Sequence, residues 1–163
     1  MRAAARNLNE TYESTPGSVA QGRTQLADFA AQVGATPRQV EAVRLAASEA
    51  MTNAVRHAYG GGSGLIYVNA AVASGELWIL ISDDGCGLRP GADQPLRGLG
   101  LGLGLMSQVS DDFGIASRAT GGTEVRLRFN LVPAKATAGA PAGGDQAGNG
   151  IGRAGLSPSM SVA

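Results

Sequence analysis

Ala47-Ser48-Glu49-Ala50-Met51-Thr52-Asn53-Ala54-Val55-Arg56-His57-Ala58-Tyr59 is the stretch that decides the fold. Its small apolar residues continue a pattern begun upstream: Val43, Ala47, Ala50, Ala54 and Ala58 form one stripe at helical spacing. Ahead of the stripe Thr36 is a good N-cap, Pro37 suits the first helical position and Gln39 completes a capping box. The spacing predicts a helix from there to about Tyr59, stopped by the glycines Gly60–Gly62. Glu49 and Asn53 lie four apart, so they share a face of it. An amide oxygen beside phosphates makes a normal Mg²⁺ environment. Glu49, one turn away, can take a proton from an attacking hydroxyl or water, and Arg56 can reach a phosphate. Taken alone the same residues are a solvated helix face. Against that, Asn is a weak helix former in a helix interior, and here it sits among Ala and Val.

Downstream, Leu65–Ala73 and Glu76–Ser82 read as two strands joined by a Ser74-Gly75 hairpin turn. The second contains Leu77-Trp78-Ile79-Leu80-Ile81, apolar on both faces, which predicts a central place in a sheet. Asp83-Asp84-Gly85-Cys86-Gly87 follows it directly. A carboxylate there, followed by glycines, suits a pocket floor where a flat ring approaches the backbone. Asp83 can accept a hydrogen bond from an adenine amino group, where guanine offers a carbonyl instead. By itself this stretch is equally a tight turn. The run Gly98-Leu99-Gly100-Leu101-Gly102-Leu103-Gly104 lets backbone N–H groups approach an anion at a helix start, or serves as a hinge or small-residue seam. It is neither a Rossmann fingerprint, whose last glycine would fall on a leucine, nor a Walker A loop, since the sole lysine is Lys135. A helix is predicted from within this run to about Ser110. Phe113–Ala119 and Glu124–Leu131 read as a last hairpin around Thr120–Thr123, with Val125, Leu127, Phe129 and Leu131 on the buried face and Arg126 and Arg128 on the other. Upstream, Asn7–Tyr12 reads as a short first strand and Pro16–Val33 as a helix ended by Gly34.

The wider composition sets bounds. The chain has 163 residues, 44% hydrophobic and 16% charged, which suits one globular domain. Thirteen basic residues balance thirteen acidic ones, which argues against a sequence-independent hold on nucleic acid or anionic lipid. A single cysteine, Cys86, and a single histidine, His57, leave no intrachain disulfide and no Cys- or His-rich metal site. No apolar stretch marks a secretory signal or a membrane span, so a cytoplasmic protein is expected. Residues 1–6 are read as a flexible N-terminus, 7–132 as the folded domain, and 133–163, rich in Ala, Gly, Pro and Ser with three charges, as a disordered tail.

Each of these signals has a bland reading; their order is far more specific. A helix bearing Glu49 and Asn53, a strand, D-x-G-x-G, G-x-G-x-G and then Gly-Thr resembles the GHKL ATPase superfamily of gyrase, the heat-shock chaperone, histidine kinases and mismatch-repair ATPases, over roughly Arg38 to Phe129. The resemblance implies an α/β fold of the Bergerat type: a two-layer sandwich with helices on one face of a mixed, mostly antiparallel sheet. It also implies ATP and Mg²⁺ as cofactors. Asn53 would hold Mg²⁺ and Asp83 the adenine; Thr123 would lie on the adenine side. Gly98, Gly100, Leu101 and Gly102 would belong to the phosphate lid, and Arg56, Gly85 and Gly87 would complete the nucleotide contacts.

Within that superfamily, no His-bearing dimerisation hairpin precedes the core and no transducer domain is expected after it. The stretch Ala47–Tyr59, and Gln94-Pro95-Leu96 before the glycine run, look like bacterial anti-sigma-factor serine kinases. Those proteins hold a sigma factor in a nucleotide-bound dimer and phosphorylate a serine or threonine of an anti-anti-sigma antagonist. The resemblance then makes Glu49 the general base and the chain a homodimer, with no direct nucleic-acid or membrane contact. His57 matches a family histidine and reads by itself as a helix-end residue bonded to backbone. Ten residues, Leu88–Arg97, separate the two glycine motifs, and the extra glycines predict a lid that is mobile without nucleotide. Two readings stay open: a kinase, or a module that binds ATP and a partner without phosphoryl transfer.

Overall fold

The structure is a computed structural model that describes residues 7–88 and 102–131. The elements run β1 (Asn7–Glu13), α1 (Pro16–Gln32), α2 (Pro37–Asn53), a π-helical turn (Ala54–Ala58), β2 (Leu65–Ala73), β3 (Glu76–Asp83), α3 (Gly102–Val109), β4 (Asp112–Ser117) and β5 (Thr123–Asn130). The strands form one sheet of order β1-β2-β3-β5-β4, and every pairing is antiparallel. Strand β3 is therefore the central strand, as its two-sided apolar sequence predicts. Helices and sheet make the α/β sandwich that the resemblance implies; the described strands show no parallel pairing.

The local signals explain the elements. Thr36 and Gln39 form a reciprocal capping box, with Gln39 N–H donating to Thr36 Oγ1 at 3.2 Å and Thr36 N–H to Gln39 Oε1 at 3.0 Å. Thr15 caps α1 without the reciprocal bond, its Oγ1 accepting from the Ser18 amide at 3.3 Å. Ser74 and Gly75 both take positive φ in the β2–β3 turn. Alternation then sends Ile66, Val68 and Ala70 of β2, Leu77, Ile79 and Ile81 of β3, and Val125, Leu127 and Phe129 of β5 into one core. Leu26 and Phe29 of α1, Val43, Ala47 and Met51 of α2, and Met106 of α3 close over it. The opposite face of the sheet is polar and aromatic. There Trp78 donates to Glu76, Arg128 pairs with the same carboxylate at 2.7 Å, and its guanidinium lies 5.7 Å from the Trp78 ring centre.

Two boundaries differ from the sequence reading by more than one residue. The predicted helix to Tyr59 changes to a π-helical turn after Asn53. The last hairpin's first strand stops at Ser117 rather than Ala119, because the Arg118 amide turns to donate to Gly122 O at 3.0 Å. No described helix is long and apolar enough to cross a membrane.

Candidate nucleotide-binding site

The site lies where the end of β3 meets the end of α2. Ala50, Asn53, Ala54, His57 and Ala58 form one wall, Ile81, Asp83, Gly87 and Leu88 a second, and Ile115, Thr123 and Val125 a third. The cleft encloses about 50 Å³, far below the ~300 Å³ of a small ligand site; the described residues therefore make room for the edge of a ring. The π-helical turn positions the first wall. It offers the carbonyls of His57 and Ala58 to the loop after β3: Ala58 O accepts from the Cys86 amide at 2.7 Å, and His57 O from Cys86 Sγ at 3.3 Å. A single π turn inserted in a helix is frequent at functional sites.

Among the described residues Asp83 is the one acidic side chain lining the cleft, and it is only 5% exposed. One carboxylate oxygen accepts from the Gly85 amide at 2.9 Å and the Thr123 amide at 3.2 Å. Burial pushes its carboxyl above the usual carboxylate range, while the two amides and the nearby Arg118 pull the other way. A buried carboxylate that keeps one oxygen for protein amides suits a ligand that donates a hydrogen bond, as the adenine amino group does. The Asn53 side-chain nitrogen is buried with no partner among the described residues. Such a group costs about 1–3 kcal/mol, and a nucleotide oxygen would relieve it; turned over, the same amide presents its oxygen to a cation. Among the described residues no group of three or more His, Cys, Asp or Glu side chains is placed to hold a metal. Asn53 is the amide in the cleft that would be available to a Mg²⁺ ion held mainly through phosphates.

The structure thus brings Asn53, Asp83, Gly87 and Thr123 to one cleft, with Gly85 bonded to Asp83 behind it. Glu49 does not line this cleft. Its carboxylate packs against Gly102 at the start of α3, so closely that a Cβ on Gly102 would collide with it. Arg56 is exposed on the π-helical turn and is likewise not among the lining residues. Gly98, Gly100 and Leu101, with the whole Leu88–Arg97 spacing beyond Leu88, lie outside the described residues. Sequence reading missed Arg118, Tyr59, Tyr67 and Asp84, which form a clasp behind Asp83. Arg118 Nη1 donates to Asp83 O at 2.9 Å and to Asp84 Oδ1 at 2.6 Å, and Tyr67 Oη donates to Asp84 Oδ2 at 2.6 Å. The Asp84 amide donates to Tyr59 Oη at 2.9 Å. The Tyr67 hydroxyl and Arg118 hold the Asp84 carboxyl below its usual range. Nothing in the spacing of these four marks them as a group.

Comparison with known proteins agrees with this geometry. The model of the histidine kinase-like ATPase domain matches residues 12–129. An anti-sigma F factor of Halalkalibacterium halodurans is 31% identical over 140 residues, covering 80% of this chain and 94% of the relative. One from Heyndrickxia coagulans is 31% identical over 142 residues, covering 80% and 90%. The crystal structure of the RsbU and RsbW domains of Rv1364c from Mycobacterium tuberculosis superposes with a TM-score of 0.60 at 27% identity, over 78% of this chain. This chain spans 33% of that longer one. With a buried carboxylate at the end of the central strand and an asparagine of the second helix lining one cleft, and with that model matching residues 12–129, the chain belongs to the histidine kinase-like ATPase domain family, among relatives of the anti-sigma factors.

Proposed function

We propose that the protein is an ATP-dependent serine/threonine kinase of the anti-sigma-factor type, which sequesters a sigma factor and phosphorylates an antagonist of that sequestration. The observation that carries the reading is the buried Asp83 carboxylate, lining a cleft that also holds the Asn53 side-chain nitrogen, which has no partner among the described residues. Asp83 accepts the adenine amino group. Asn53 would hold Mg²⁺, which would supply charge neutralisation on the phosphates. Glu49 receives the proton of the antagonist's hydroxyl as its oxygen bonds to the γ-phosphorus; the bond to the β–γ bridging oxygen breaks and ADP leaves with that electron pair. Arg56, Gly98, Gly100, Leu101 and Gly102 contact phosphates. The chain acts as a cytoplasmic homodimer, touching neither nucleic acid nor membrane. Support for the partners comes from relatives named anti-sigma F factor.

A second reading is a nucleotide-dependent binding module without phosphoryl transfer. The position of Glu49 against Gly102, off the Asp83 cleft, favours it. Incubation with γ-labelled ATP and candidate antagonist proteins separates the two. The kinase reading expects label on a serine or threonine of the antagonist, lost in Glu49→Ala while that variant binds ATP as before. Full transfer by Glu49→Ala would remove Glu49 from the mechanism, and no transfer by the intact chain to any antagonist it binds would leave the binding module.

A further inference from the structure

Arg118 reaches Asp83 by two routes. Its side chain donates to the Asp83 carbonyl at 2.9 Å. Its backbone opens the turn that ends at Thr123: the Arg118 amide donates to Gly122 O at 3.0 Å, the Gly121 amide donates back to Arg118 O at 3.1 Å, and the Thr123 amide then donates to the Asp83 carboxylate at 3.2 Å. Main chain and side chain therefore form a closed ring around Asp83. Gly122 takes φ +87° within it, and a Cβ there would collide with the Asp83 carbonyl. The guanidinium is itself fixed, by Asp84 Oδ1 at 2.6 Å and by the Tyr67 ring, whose centre lies 5.8 Å away. Asp84 is held in turn by Tyr67 Oη and Tyr59 Oη. The Arg118 side chain does not line the cleft.

We infer that Arg118 is a positioning residue for base selection: it fixes the direction of the Asp83 carboxylate, and with it the preference for a purine that carries an amino group at the Asp83 oxygen. This rests on the reading of Asp83 as the adenine acceptor. The chemistry separates positioning from mere stability. A carboxylate rewards a donor and repels a carbonyl oxygen only while its free oxygen is held toward the base. Once it can swing, the reward for ATP falls, whereas inosine triphosphate, with a carbonyl at that place, loses nothing. A general loosening of the cleft would weaken both nucleotides together.

The test is the ratio of ATP to inosine triphosphate affinity, measured by calorimetry on the full chain. Arg118→Met keeps the aliphatic stem against Tyr67 and removes the donor. It is expected to lower ATP affinity roughly tenfold, the low end for a charge-assisted hydrogen bond, with inosine triphosphate bound as before or more tightly. Arg118→Lys is expected to restore most of the ratio, because one ammonium can serve both oxygens that Nη1 serves now. If Arg118→Met does not fold, Arg118→Leu, which likewise carries no donor, takes its place with the same expectation. A parallel loss of both nucleotides, or no change in either, overturns the inference. Asp83→Asn in the same assay keeps the two failures apart. If it leaves the ratio intact, the adenine reading of Asp83 fails; if it abolishes the ratio while Arg118→Met preserves it, only the role of Arg118 falls.

Discussion

Asp83 shows how one residue sets affinity against stability. Its pKa is raised in the fold, chiefly by burial, so the native state binds the proton more tightly than the unfolded chain does. By linkage its charged form disfavours folding at neutral pH, and that penalty fades as pH falls through the raised value toward the usual carboxylate range. Asparagine retains an oxygen for the Gly85 and Thr123 amides without the buried charge. Asp83→Asn is therefore expected to lose ATP affinity roughly 10- to 150-fold while melting no lower than the parent at pH 7. Its advantage should shrink on acidification, as thermal melts over a pH series would register. A marked fall in melting temperature at neutral pH would instead make Asp83 a structural keystone. Asp84 has the opposite sign: with its pKa lowered by Tyr67 and Arg118, its contribution is present above the ordinary carboxylate value and disappears below the depressed one. Sequence reading finds Asp83 because it ends an apolar strand. It cannot find Arg118, since an arginine between a strand and a Gly-Gly turn looks like any solvated charge until the chain folds back.

At the scale of elements, helix α2 carries both halves of the design. Its start was legible in Thr36, Pro37 and Gln39, whose cap geometry is local and needs no partner. Strand β2 was legible to the residue because the Ser74-Gly75 turn fixes where it ends. The end of α2 was not. Ala54 and Ala58 keep the apolar stripe at helical spacing, and the change to a π turn leaves no trace in that pattern; the docking of Cys86 on Ala58 O stabilises it from outside. Gln39 also has a second contact that spacing does not reveal, donating to Asn130 O of β5 at 2.6 Å. Gln39→Ala should then cost more than Thr36→Ala, about 1–2 kcal/mol against ~1, in urea unfolding with unchanged slopes. Equal costs would mean that the bond to β5 contributes nothing net.

Across the whole molecule, the core closes with Phe129, and Leu131 donates its amide to Gly75 O at 2.8 Å. Among the described residues, that bond at Leu131 is the last tie along the chain. Deleting residues 133–163 is expected to leave the melting temperature and ATP affinity nearly unchanged; a large fall in either would give that segment a structural role. The two faces of the sheet have separate duties, since the helices and the nucleotide cleft share one and the other is left with Tyr67, Trp78, Arg126 and Arg128. One practical result follows from the lone tryptophan and the lone cysteine. Trp78 sits on the outer face stacked by Arg128, and Cys86 is exposed beside the cleft. The chain therefore carries a native pair of optical reporters: a thiol-attached dye would respond to nucleotide, while intrinsic emission would respond to a protein seated on the sheet, each legible in one cuvette without adding a residue.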